Sequence, residues 1–138
     1  MKTSPITLII AEDHAPLREC LVAMLKRFNQ FTVIGEAGDG LQLLEQVTLH
    51  PPHIVLIDIH MHRMNGIEAA TRIHKQFPLI GIIAYSMLLE PLAVQKMIRA
   101  GAKGYLLKAA SIQEILKAIQ EVYKGRTYYC TEVLPFVQ

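Results

Sequence analysis

Short apolar runs alternate along the chain with longer stretches in which apolar positions recur every three or four residues. Ile6–Ala11 is apolar except at Thr7 and predicts a buried strand. Beyond Glu12, Asp13 and His14, the residues Leu17, Cys20, Leu21, Met24, Leu25 and Phe28 recur at helical spacing, and Pro16 suits the first turn. On that spacing Cys20 belongs to the buried stripe, as a small apolar filler. Phe31–Ala37 predicts a second strand, ended by Gly38, Asp39 and Gly40. Leu41, Leu44, Val47 and Thr48 mark a second helix, stopped by Pro51 and Pro52. Ile54–Ile57 is continuously apolar and closes on Asp58. After a loop to Asn65, residues 66–77 predict a helix with Ile67, Ala70, Ile73 and Phe77 on one face. Residues 79–85 predict a fourth strand, Glu90 and Pro91 open a helix that Gly101 closes, and Gly104–Leu107 is a short fifth strand. Ser111 and Glu114 form a capping box for a last helix striped by Ile112, Ile115, Leu116, Ile119 and Val122. Residues 125–138 fall outside the pattern and read as a linker or tail.

Strands that are apolar throughout are buried on both faces. Helix-length crossovers between them make the sheet parallel, with helices on both sides. The expected fold is therefore α/β: a flavodoxin-like, doubly wound (βα)5 unit with a five-stranded parallel sheet of order 2-1-3-4-5.

In such a sheet the functional crevice lies beyond the carboxyl ends of the strands, where the order switches. Glu12 and Asp13 follow the first strand, Asp58 the third, Ser86 the fourth and Lys108 the fifth. Only Gly38, Asp39 and Gly40 follow the second, on the side away from the switch point. Each residue alone has an ordinary reading. An acidic pair caps a helix, an aspartate after a strand forms a turn, and a loop lysine is solvated. Their joint placement at strand ends carries the argument. Two like charges about 4 Å apart repel by roughly 4 kcal/mol at an effective dielectric of about 20, and one lysine cannot neutralise three carboxylates. A hard divalent cation can, and Mg²⁺ suits a site with one or two carboxylates and phosphate oxygens. Beside such a cation Asp58 could attack a phosphorus and become an aspartyl phosphate. Ser86 and Lys108 would then hold the phosphoryl oxygens.

The pieces IIAEDH, IVLIDIHMHRMNG, IIAYS and GAKGYLLK resemble the receiver domain of two-component response regulators, over about residues 6–124. The stretch GAKGYLLKAASIQEILKAIQEVYKGRTYY resembles the NarL/FixJ subfamily, in which a linker and a LuxR-type helix-turn-helix follow the receiver. The resemblance implies a receiver over residues 1–124. Residues 125–138 would be a linker toward an effector domain absent from this chain. It further implies that Asp58 is the phosphoacceptor and that Asp13, Asp58 and the backbone carbonyl of His60 ligate Mg²⁺ directly. Glu12 would act on the cation largely through bound water, and Lys108 would pair with the phosphoryl group. Ser86 and Tyr105 would form the switch pair, with Tyr105 turning inward as Ser86 moves toward the phosphoryl group. The implied partners are a sensor histidine kinase, a second copy through the faces of helix 1, 4 or 5, and DNA only through the effector. Two positions depart from the family: His62 follows Met61 where proline is usual, and Ala109 follows Lys108 where a cis proline is usual. His60 and Leu88 stand where side chains gate the attacking water in the family.

The remaining features narrow the class. The chain has 138 residues, 51% hydrophobic and 19% charged, which excludes disorder. A net charge of +2 is too weak to argue for a nucleic-acid or membrane surface. No stretch reaches the roughly 18 apolar residues of a membrane span, and the first residues make a poor signal peptide. Cys20 and Cys130 form no CxxC, so a reducing, cytoplasmic location is expected. His60 and His62 read as loop residues rather than transition-metal ligands. A regulatory domain that catalyses only its own phosphorylation and dephosphorylation is expected. The alternative is a Mg²⁺-dependent phosphohydrolase acting through an aspartyl phosphate at Asp58. Such enzymes carry a second carboxylate two residues on, where this chain has His60.

Overall fold

The computed structural model describes residues 4–87 and 89–137. Its elements run β1 (Ile6–Ala11), α1 (Ala15–Lys26), β2 (Phe31–Ala37), α2 (Gly40–Leu49), β3 (Ile54–Ile57), α3 (Gly66–Gln76), β4 (Gly81–Ser86), α4 (Pro91–Arg99), β5 (Gly104–Leu107), α5 (Ile112–Tyr123) and β6 (Tyr128–Tyr129), followed by a terminal 3-10 helix (Thr131–Phe136). All strand pairs are parallel and the sheet order is β2-β1-β3-β4-β5-β6. The order 2-1-3-4-5 is thus as the pattern predicts, with a sixth strand added from the tail.

Every residue of β3 and β4 is buried, as expected of strands covered on both faces. β2 is the edge: Thr32, Ile34 and Glu36 alternate outward, and its pairing with β1 slips between Leu8 and Ile9. Helices α2, α3 and α4 pack one against the next. Helix α1 lies beside the start of α5 around Met24, Phe28 and Ile112. Fully buried Leu8, Ile9, Ile10, Leu56 and Ile57 fill the space between these layers, each stabilising the fold by about 1.5–3 kcal/mol.

Some helix faces differ from the periodic reading. The buried face of α1 is Leu21, Val22 and Leu25, and Cys20, about 100° around the helix from Leu21, is exposed. In α2 the buried residues are Leu43 and Val47, while Leu41 faces solvent. β4 starts at Gly81 rather than at residue 79, and Leu79 is 98% exposed. Elements continue beyond α5, at Tyr128–Tyr129 and Thr131–Phe136. Tyr128 and Tyr129 pair with Gly104 and Tyr105 of β5, and Val133 and Cys130 are buried. No helix among the described residues is long and apolar enough to cross a membrane.

Candidate functional site

β1, β3, β4 and β5 are adjacent and parallel, so their carboxyl ends open on one edge of the sheet. Glu12 follows β1, Asp58 follows β3, Ser86 is the last residue of β4, and Lys108 follows β5. Three of these polar residues are buried: Glu12 at 2% exposure, Asp58 at 5% and Ser86 at 0%. Lys108 reaches across the end of β4 to Asp58 and on past β3 to Glu12. Its ammonium hydrogen-bonds the Glu12 carboxylate and donates to Asp58 Oδ2 at 3.0 Å. Burial works to lower the Lys108 pKa, but the hydrogen bonds and negative charge of Glu12 and Asp58 outweigh it and hold the pKa above its ordinary value.

Backbone donors complete the cradle. The His14 N–H donates to Glu12 Oε2 at 3.0 Å, and the His60 N–H reaches Asp58 Oδ1 at 3.3 Å. Arg18 donates to the Glu12 carbonyl at 2.7 Å and pairs with Glu36 at 3.3 Å, which fixes the β1–α1 turn. Asp13 is exposed, and the N-cap of α1 is His14, so Asp13 is not spent on capping that helix. Glu12, Asp13 and Asp58 each offer an oxygen, all within 4.8 Å of one another. Three carboxylates against one ammonium leave an excess of two negative charges. An all-oxygen cluster with that excess fits a hard divalent cation.

Two loop contacts escaped the sequence reading. Asp39, placed on the far side of the switch point by that reading, is in fact tied to the loop that follows Asp58. It caps α2 through the Gln42 N–H at 2.9 Å and binds Arg63 Nη2 at 2.7 Å. Burial raises the Asp39 carboxyl, but the Gln42 N–H and the Arg63 guanidinium overcome it and hold the pKa below the usual value. Arg63 has φ 61°, a left-handed conformation that this ion pair helps secure. Glu90 occupies the N-cap of α4 but its side chain makes no cap hydrogen bond; its Oε1 instead meets His60 Nε2 at 2.6 Å, joining the β3–α3 loop to the β4–α4 loop. An acid near a helix start is an ordinary cap signal, so nothing local in the sequence marked Glu90 for this contact.

Gly66 closes the Asp58 loop. Its N–H donates to the Ile59 carbonyl at 2.7 Å, and a Cβ there would press on the Asp58 carbonyl and Ile59 Cα. Behind Ser86, Tyr105 is fully buried, with its ring already turned inward. Burial pushes the pKa of its hydroxyl up to about 12, against the lowering effect of the Ser86 hydroxyl. No cis peptide occurs among the described residues, so the Lys108–Ala109 bond is trans. Leu88 lies outside the described residues.

The chain has counterparts among known proteins. The family model for the response regulator receiver domain matches residues 8–120. The chain belongs to the response regulator receiver family. Among curated relatives, the oxygen regulatory protein NreC of Staphylococcus aureus is 34% identical over 122 residues, covering 88% of this chain and 56% of NreC. The chain thus spans about half the length of the curated relatives it matches. The signal receiver domain of a response regulator NarL from Mycobacterium tuberculosis superposes with a TM-score of 0.84 at 32% identity, over 90% of this chain and all of that one. A LuxR-family two-component response regulator from Aurantimonas sp. SI85-9A1 gives a TM-score of 0.90 at 25% identity, over 96% and 94% of the two chains. These relatives bear out the NarL/FixJ reading. The receiver is a regulatory domain, and the sequence-predicted residues Glu12, Asp13, Asp58, Ser86 and Lys108 come together at one end of its sheet, with Tyr105 behind them.

Proposed function

We propose that Asp58 accepts a phosphoryl group from a sensor histidine kinase and that the domain thereby switches a LuxR-type effector. The observation that carries this reading is the buried Asp58 carboxylate at the end of the central strand. Lys108 is held on its Oδ2 at 3.0 Å, and Glu12 and Asp13 offer oxygens within 4.8 Å. An Asp58 oxygen attacks phosphorus, the phosphorus–nitrogen bond of the donor phosphohistidine breaks, and the bonding pair stays on the ring, which leaves as neutral imidazole keeping the proton on its other nitrogen. Lys108 moves its hydrogen bond from Asp58 to a phosphoryl oxygen and stays charged throughout. Glu12 keeps the ammonium in place meanwhile. Asp13, Asp58 and the His60 carbonyl would hold Mg²⁺ directly, with Glu12 acting through water; the cation supplies neutralisation of charge on the phosphoryl oxygens.

The phosphoryl group adds about −1.5 to −2 charge and strong acceptor oxygens. Ser86 donates to one of these, and the inward ring of Tyr105 fills the space behind it. The face formed by α4, β5 and α5 is then the output surface. A cytoplasmic location, pairing of two copies through α1, α4 or α5, and DNA binding by an effector beyond residue 138 complete the reading. Support for the effector comes from the LuxR-family relatives. The division into a receiver over 1–124 and a connecting segment over 125–138 belongs to the same proposal.

Incubation with acetyl phosphate and Mg²⁺ followed by intact-mass analysis tests it. The protein should gain one phosphoryl mass, and Asp58→Asn should gain none. Uptake by Asp58→Asn at the wild-type rate would overturn the assignment.

A further inference from the structure

The loop that presents Asp58 contains a strained turn, and the hold on that turn comes from outside the loop. The Met64 N–H donates to the His62 carbonyl at 2.6 Å, closing a three-residue turn around Arg63 at φ 61°. Turns of this hand are rare and strained. Arg63 is the one non-glycine residue with a positive φ among the described residues. Its side chain reaches the β2–α2 loop, where Nε and Nη2 donate to Asp39 Oδ2 at 2.9 and 2.7 Å. Asp39 is 8% exposed, and its other oxygen, Oδ1, accepts the Gln42 N–H at 2.9 Å. The neighbouring Gly40 N–H donates to the Met64 carbonyl at 3.2 Å, and a Cβ on Gly40 would overlap that carbonyl oxygen. The β2–α2 loop thus grips residues 63 and 64 through a side chain and through backbone. Upstream in the gripped loop, the His60 N–H reaches Asp58 Oδ1 at 3.3 Å.

We propose that Asp39 is a positioning residue for phosphoryl uptake at Asp58, acting through Arg63. This rests on the phosphoacceptor reading above and adds a residue to it. Asp39 follows β2, which β1 separates from β3, so it acts on Asp58 only through the gripped loop. An arginine does not hold a positive φ unaided. Its guanidinium, bound twice to a buried carboxylate, offsets the strain of the turn. With the turn closed, residues 59–62 follow one path over the end of β3, and the His60 backbone is fixed beside Asp58. With the turn released, that path is lost. A misplacement of about 1 Å at a reacting group costs on the order of a hundredfold in rate.

Asp39→Asn separates the two jobs of this carboxylate. Asparagine caps a helix as well as aspartate does, so its oxygen keeps the Gln42 N–H. Its amide nitrogen then faces the guanidinium, donor against donor. Phosphoryl uptake from acetyl phosphate with Mg²⁺, followed by intact mass, should slow at least about fivefold, the factor that the low end of the strain at one such residue converts to. In metal-free protein without a phosphodonor, hydrogen exchange of the Met64 amide should speed up. Arg63→Ala should slow uptake in the same way, because alanine has neither the guanidinium nor freedom at positive φ. Arg63→Gly should not, because glycine takes the turn unaided. The double variant Asp39→Asn/Arg63→Gly should return to the wild-type rate, a rescue that a capping role for Asp39 does not produce. Wild-type uptake in Asp39→Asn or Arg63→Ala, or an Asp39→Asn rate that Arg63→Gly fails to restore, overturns this inference alone. Absence of uptake in the wild-type protein overturns the phosphoacceptor reading and this inference with it.

Discussion

At the carboxyl ends of the strands, Glu12, Asp58 and Ser86 are buried around Lys108, with Asp13 at the rim. At the amino ends, Pro51, Pro52, Phe77, Pro78, Leu79 and Tyr123 border a groove of about 520 Å³ with no Asp, Glu, Lys or Arg along it. His53 and Thr7 satisfy one another there: His53 Nδ1 accepts from the Thr7 N–H at 3.0 Å, and the His53 N–H donates to Thr7 Oγ1 at 2.9 Å. The same strands thus end in an excess of negative charge on one side and beside a largely apolar groove on the other. A receiver stabilised for its own sake would close both ends alike. The charged end keeps a repulsion among Glu12, Asp13 and Asp58 that a divalent cation would relieve, so stability is given up at that end.

The largest break in this contrast comes from Lys108→Met. It leaves Glu12 and Asp58 buried without their shared counter-charge and should lower stability by about 3–5 kcal/mol in a urea titration near neutral pH. The sign with pH follows from the raised Lys108 pKa. The lysine's contribution is fully present below its unfolded value of 10.5 and is lost as pH rises through the higher folded value. The gap between wild type and Lys108→Met should therefore be constant up to that range and close above it. A gap that widens on the alkaline side would contradict the pairing.

Gly66→Ala tests the loop that presents Asp58. The new methyl group meets the Asp58 carbonyl and Ile59 Cα, which are backbone atoms that cannot yield cheaply. A loss of about 1–3 kcal/mol is expected, by thermal or urea unfolding. Leu79→Ser should do least. Leu79 is 98% exposed at the groove end, and its replacement should change stability by no more than about 0.5 kcal/mol. A larger loss would show that the apolar end holds the fold together through Leu79 and would spoil the contrast between the ends.

Much of this was legible in the sequence because the fold announces itself at its strands. β1, β3 and β4 are continuous apolar runs, and each site residue stands at the end of one of them or of β5. Glu12, Asp13, Asp58, Ser86 and Lys108 could therefore be placed together by counting strands alone. The tail was not legible. β6 is two residues long, below any periodic signal, and what anchors it is tertiary burial of Cys130 and Val133 against distant elements. Cys20 misled because several residues near it share helical spacing, and only packing decides that Leu21, Val22 and Leu25 face inward. Links between loops, Arg63 with Asp39 and His60 with Glu90, join residues 24 and 30 positions apart, and no local pattern encodes them.

The central claim is that the charge at the carboxyl end exists to phosphorylate one particular side chain. Borohydride reduces an aspartyl phosphate to homoserine, so reduction after acetyl phosphate treatment marks the acceptor covalently. Peptide mapping of the reduced protein should place homoserine at position 58 and leave Asp13 and Asp39 unchanged. Homoserine at position 13 or 39, or a phosphoryl group retained after reduction on a serine or histidine, would contradict the account.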